Sequence, residues 1–152
     1  MNNRSDSLTH RSLAASCFNK TWEYLRKRKL TAKEAEEMIH VSHASFWHWN
    51  QVEDHTPLNI SIGTWQLARV YAVAGLPERA EYFAQRCIEI GESNDLPPYF
   101  VGYGYEAKAR AKALQGERQA AQDLVSMARR LADQIQELDD RMVLLDDLNA
   151  IL

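Results

Sequence analysis

The chain has 152 residues, of which 45% are hydrophobic and 26% charged, and a net charge of −3. These are the figures of one ordinary globular domain. No run approaches the ~20 apolar residues of a membrane-spanning helix, so no membrane is expected among its partners. The balance of charge is +2 over residues 1–76 and −5 over 77–152. Neither half has the basic excess of a nucleic-acid binder, and no nucleic acid is expected. Cys17 and Cys87 are too few for a disulfide framework and form no C-x-x-C pair. With a polar opening (MNNRSDSLTHRS) that lacks the apolar core of a signal peptide, they point to free thiols in a reducing, cytoplasmic setting.

Leu13, Cys17, Phe18, Trp22 and Leu25 recur at helical spacing and predict a first helix over Leu8–Lys29. The run Arg26-Lys27-Arg28-Lys29 lies beside Glu34, Glu36 and Glu37, which marks a solvated face. Thr31 with Glu34 three residues on reads as a capping box. Helix two then continues to about Asn50. QVEDHTP is a loop, because Pro57 holds the preceding residues extended. Helix three spans Asn59–Ala74 and stops at Gly75, a good residue for the left-handed turn after a helix. Helix four follows Pro77 to about Glu92, and SNDLPPY breaks the chain again. Helix five runs from Pro98 to before Gly116, and helix six from about Glu117 to Ile135. Gly102 and Gly104 weaken the start of helix five or permit close packing there.

The tail keeps an apolar stripe from Leu124 to Leu152 with no Gly or Pro inside it, so one long helix could carry it. A break near Gln136–Asp139 is preferred, since Asp139 and Asp140 suit an N-terminal helical turn. No strand pattern occurs. The expected architecture is all-α: a right-handed stack of antiparallel hairpins over 8–50, 59–92 and 98–135, with a capping helix over 139–152, in one domain of residues 1–152.

The second half repeats itself after 41 residues: Ala68-Arg69 returns as Ala109-Arg110, Gly75 as Gly116, Ala80 as Ala121, and Phe83 and Ile90 as Leu124 and Leu131. Repetition on this scale marks stacked helical hairpins, each too small to bury its own apolar face. Leu67, Ala68, Tyr71 and Ala80 partly match the tetratricopeptide pattern. The period of 41 is nearer that of HEAT repeats, but small residues at Ala68, Ala80, Ala109 and Ala121 favour the tetratricopeptide form. Three segments carry a further likeness: His43-Ala44-Ser45-Phe46-Trp47-His48-Trp49, Trp65-Gln66-Leu67-Ala68-Arg69-Val70-Tyr71 and Tyr105-Glu106-Ala107-Lys108-Ala109-Arg110. In that order the chain resembles an uncharacterised bacterial family of tetratricopeptide-like proteins over most of residues 18–150. The resemblance implies the fold and brings no activity or cofactor.

Four of the five histidines (His40, His43, His48, His55) fall within 16 residues, which suggests a metal. The geometry opposes it. His48 lies five residues beyond His43 and is turned by ~140° on a helix, there is no H-E-x-x-H, and a third ligand such as Glu106 must come from elsewhere. Histidines among Phe46, Trp47 and Trp49 more commonly pack as structural residues. No nucleophile elbow, phosphate loop or dinucleotide fingerprint is present. No metal, cofactor or catalytic residue is therefore expected.

The arginines carry the better reading. Arg69 and Arg110 are repeat equivalents, as are Trp65 and Glu106 one turn earlier. If Ala35 is matched to Ala80, the first-hairpin counterparts are Lys20 and Tyr24. Tetratricopeptide stacks place such positions on a concave groove. The expected binding set is Lys20, Tyr24, Trp65, Arg69, Glu106 and Arg110, with His43, His48 and Tyr105 as secondary candidates. Arg grips a carboxylate with two parallel hydrogen bonds, so the expected partner is an acidic peptide, an acidic protein segment or a small anion. The competing reading is structural, with Arg69 pairing to Glu106 across adjacent helices. A small-molecule or metal-assisted enzyme using His43, His48 and Glu106 is the alternative function. An oligomer formed through the C-terminal helix is the alternative partner.

Overall fold

A computed structural model describes residues 8–152. The polar stretch 1–7 lies outside the described residues. Among the described residues all regular structure is helical: α1 (His10–Leu25), α2 (Ala32–Gln51), α3 (Pro57–Val73), α4 (Pro77–Ser93), α5 (Pro98–Leu114), α6 (Arg118–Ala132) and α7 (Leu138–Asn149). None of these helices is long and apolar enough to cross a membrane. The chain divides into two compact units, one ending at His55 and the other spanning Thr56–Leu152.

The first unit is α1 packed antiparallel on α2. Ser45 Oγ donates to the Ala14 carbonyl at 2.8 Å, and the Tyr24 hydroxyl donates to Glu37 at 2.7 Å nearer the connecting turn. Ala14, Thr21, Met38, Ser42 and Ser45 are buried between the two helices and around them. Thr9 and Ser12 close a capping box at the start of α1. The expected box of Thr31 and Glu34 starts α2, with Thr31 N–H donating to Glu34 at 2.9 Å. Helix α1 ends at Leu25 rather than at Lys29 as its periodicity suggests. Arg26 caps it, and the following cations turn the chain back, with Lys27 pairing to Glu34 at 2.5 Å.

In the second unit α3 starts at Pro57, two residues before the expected Asn59. Thr56 caps it, and Asn59 supplies the reciprocal bond that Glu or Gln gives in the usual capping box. The 41-residue echo is a repetition of helix boundaries: Pro57 and Pro98 open α3 and α5, and Pro77 and Arg118 open α4 and α6. Gly75 (φ +77°) and Gly116 (φ +80°) end the first helix of each pair with one motif. Leu76 N–H donates to the Tyr71 carbonyl at 2.9 Å, and Glu117 N–H to that of Lys112 at 3.0 Å. These are the bonds that satisfy carbonyls orphaned at a helix end.

In this unit α3 and α4, and α4 and α5, run antiparallel. Ser61 meets Cys87 and Tyr71 stacks on Phe83 between α3 and α4; Tyr105 meets Glu92 and Lys112 meets Glu81 between α4 and α5. Close approach depends on small residues. Ala68, Ala80, Ala109 and Ala121 are all buried, and Gly104 lies so near α4 that a Cβ there would come 3.2 Å from the Ile88 backbone nitrogen. Gly102 similarly admits Leu144 of α7.

The tail resolves into two helices. Arg141 donates to the Ile135 carbonyl and holds the break, while Asp139 and Asp140 sit in the first turn of α7. Leu144 and Leu148 then bury into a cluster with Tyr103, Val125, Ala128, Ala132 and Ile135.

Candidate functional site

Helices α3 and α5 lie side by side and run parallel: Trp65 meets Tyr103, and one turn further Arg69 meets Glu106. Helix α5 is buried on nearly every face, including Val101, Tyr103, Ala107, Ala109 and Ala111. Glu106 is buried with them, at 1% exposure. A carboxylate in such a place needs compensation. Arg110, one turn along the same helix, supplies it through both Nε, at 3.0 Å, and Nη2 to Oε1. Arg69 reaches the same oxygen from α3 at 3.8 Å. The other oxygen, Oε2, is buried with no hydrogen-bond partner. Burial pushes the Glu106 carboxyl above the usual range, against the pull of Arg110 and Arg69.

Three charges thus meet at one point with a net charge of +1 when Glu106 is ionised. The carboxylate is inside, but the side chains of Arg69 and Arg110 keep 29% and 23% exposure. Beside them is an aromatic wall: Trp65 and Tyr99 both stand edge-on to Tyr103, at 5.7 and 5.1 Å between ring centres. The Tyr103 hydroxyl donates to Asp147 of α7 at 2.7 Å. Burial and that bond raise its pKa, so it stays protonated. Asp147 and Tyr99 were not among the residues singled out from sequence. Only a contact spanning 44 residues ties Asp147 to the site.

The structure therefore brings Arg69, Glu106 and Arg110 together, with Trp65 against their aromatic flank. Tyr105 faces elsewhere and donates to Glu92 at 2.6 Å; burial and this bond push its pKa up to about 12. Lys20 and Tyr24 belong to the first unit. Lys20 pairs with Glu23 at 2.9 Å and lies 5.5 Å from the Tyr24 ring centre, while the Tyr24 hydroxyl is held by Glu37. His48 contacts His10, 2.9 Å between Nδ1 atoms, and His43 is partly buried on α2. Among the described residues no three His, Cys, Asp or Glu side chains are grouped to hold a metal ion. An open hollow of about 530 Å³ lies along α4 with Lys108 of α5, lined by Glu78, Glu81, Gln85 and Glu89, and takes in none of the candidate residues.

No family model, curated protein or solved structure matches this chain.

Proposed function

We propose that the second unit is a tetratricopeptide-like pair of helical hairpins closed by α7, and that it binds an acidic peptide or another anionic group at Arg69 and Arg110. The repeat reading is supported by the identical spacing of helix starts, glycine stops and small buried residues between α3–α4 and α5–α6. The binding reading is supported by one observation above the rest. Arg110 bonds Oε1 of Glu106 through two of its nitrogens, whereas Arg69 is 3.8 Å from that oxygen and has spare donors. A guanidinium that is a quarter exposed and only loosely tied is placed to take a second carboxylate, with Arg110 adding charge and Trp65 adding a flat face.

The test is a titration of the full chain with a hexaglutamate peptide at low salt. Arg69→Ala weakens binding at least about fivefold, the scale of ~1 kcal/mol for a lost charge-assisted hydrogen bond. Helical circular dichroism stays unchanged, because Arg110 still pairs Glu106. Raising salt weakens wild-type binding, as partly exposed charges are screened. Unchanged affinity in Arg69→Ala, or loss of helicity with no effect on affinity, refutes the reading.

A further inference from the structure

We propose that His10 and His48 form a two-histidine site for Cu(II) on the first unit. His10 opens α1, and His48 lies near the end of α2. The antiparallel packing of the two helices sets their Nδ1 atoms 2.9 Å apart, with ring centres at 5.2 Å. His10 is exposed and His48 is partly exposed, so an aqueous cation has access to both. Trp47, at 56% exposure, stands edge-on to each ring, 5.6 Å from His10 and 5.0 Å from His48, and limits where the imidazoles can turn. The nearest cation along the chain, Arg11, is paired with Asp54 at 2.8 Å and does not oppose a metal with a free positive charge.

The ligand type selects the metal. The observed 2.9 Å is the hydrogen bond between the two rings, which a bound ion replaces. Imidazole nitrogens suit Cu(II), which binds such ligands most tightly among the divalent first-row ions. In the apo pair one Nδ1 donates to the other, so one ring carries its proton on that atom. Metal binding requires both Nδ1 lone pairs. The donating ring therefore shifts its proton to its own Nε2 through solvent, and no net proton is released.

CuCl2 titrated into the untagged full chain in a non-coordinating buffer tests this. Tryptophan fluorescence is expected to quench to an endpoint at one equivalent, and the electron paramagnetic resonance spectrum to show coupling to two imidazole nitrogens. His10→Ala and His48→Ala each weaken binding at least about tenfold, with helical circular dichroism retained. His40→Ala, whose side chain sits near Glu36 at 3.6 Å, leaves binding unchanged. Since His10 is exposed at the helix start, its variant keeps the test informative if His48→Ala does not fold. A smaller loss in His10→Ala, or a spectrum without imidazole coupling, overturns the proposal.

Discussion

Gly104→Ala tests the close packing on which the site is built. A methyl group at this position would stand 3.0 Å from Ile88 Cγ1, 3.2 Å from the Ile88 backbone nitrogen and 3.4 Å from Cys87 Sγ. The backbone atom cannot rotate away, so α4 and α5 must separate by a few tenths of an ångström. Overpacking of this kind costs ~1–3 kcal/mol. Replacing a mid-helix glycine by alanine returns ~1 kcal/mol of helix propensity. The net effect is a loss of roughly 0–2 kcal/mol, or up to about 8 °C in melting temperature at the ~2–4 °C per kcal/mol of a chain this size. Thermal unfolding followed by circular dichroism at 222 nm measures it. Gly102→Ala is the control: its methyl meets Leu144 Cδ2, the end of a rotatable side chain, at 2.7 Å, so its loss is smaller. A Gly104→Ala chain more stable than the wild type refutes the argument.

Ala121 is fully buried at the repeat equivalent of Ala80. Ala121→Leu lowers the melting temperature by an amount matching ~1–3 kcal/mol of overpacking, and an unchanged transition would show that the helices are not in contact there. Burial raises the Cys87 thiol pKa, and the group also meets Ser61 at 3.6 Å. In native protein at pH 8 a thiol-specific disulfide reagent therefore modifies the less buried Cys17 first, and Cys87 only on unfolding. Mass analysis of peptides after partial reaction reads the order.

Much of the helical layout was legible because it rests on local chemistry. Thr31 and Glu34 cap α2, Gly75 and Gly116 adopt the positive φ that ends α3 and α5, and the echo of 41 residues sets both helix pairs. The break before α7 was also readable from Asp139 and Asp140. Burial of the charges was not. The pairing of Arg69 with Glu106 was one of the two sequence readings, but Glu106 lies in a helix with no clear apolar stripe, and its depth of burial did not show. The overlooked signal was the spread of small and apolar residues: Val101, Gly102, Tyr103, Gly104, Ala107, Ala109 and Ala111 leave α5 no continuous polar face, which is the mark of a central helix. Asp147 gave no signal at all, since its tie to Tyr103 exists only once α7 folds back. The histidines are a further case. Four neighbours in sequence suggested one group, while the contact formed by His48 is with His10, 38 residues earlier.

The triad of Arg69, Glu106 and Arg110 separates stability from function. Burial raises the Glu106 pKa despite two guanidinium groups, so ionising this carboxyl costs more in the folded chain than in the unfolded one. The sign of the linkage follows. A carboxyl whose folded pKa lies above its unfolded value adds stability that is full below the ordinary carboxylate range and is lost as pH rises through the folded pKa. Ionising Glu106 therefore lowers stability as pH rises, and on the proposed binding role the triad serves to position Arg69. Replacing it whole by Arg69→Met, Glu106→Leu and Arg110→Met removes the desolvated charges while filling their space. Such exchanges are neutral or stabilising by ~1–4 kcal/mol. The triple variant is expected to melt at or above the wild-type temperature at pH 7, to lose hexaglutamate binding, and to show less decline in stability between pH 4.5 and 7. Chemical denaturation across that range, with a binding titration at pH 7, measures all three. A triple variant less stable than wild type by more than ~2 kcal/mol would mean that the ion triad holds the helices together, as structural pairs do, and that the arginines were placed for the fold and not for a ligand.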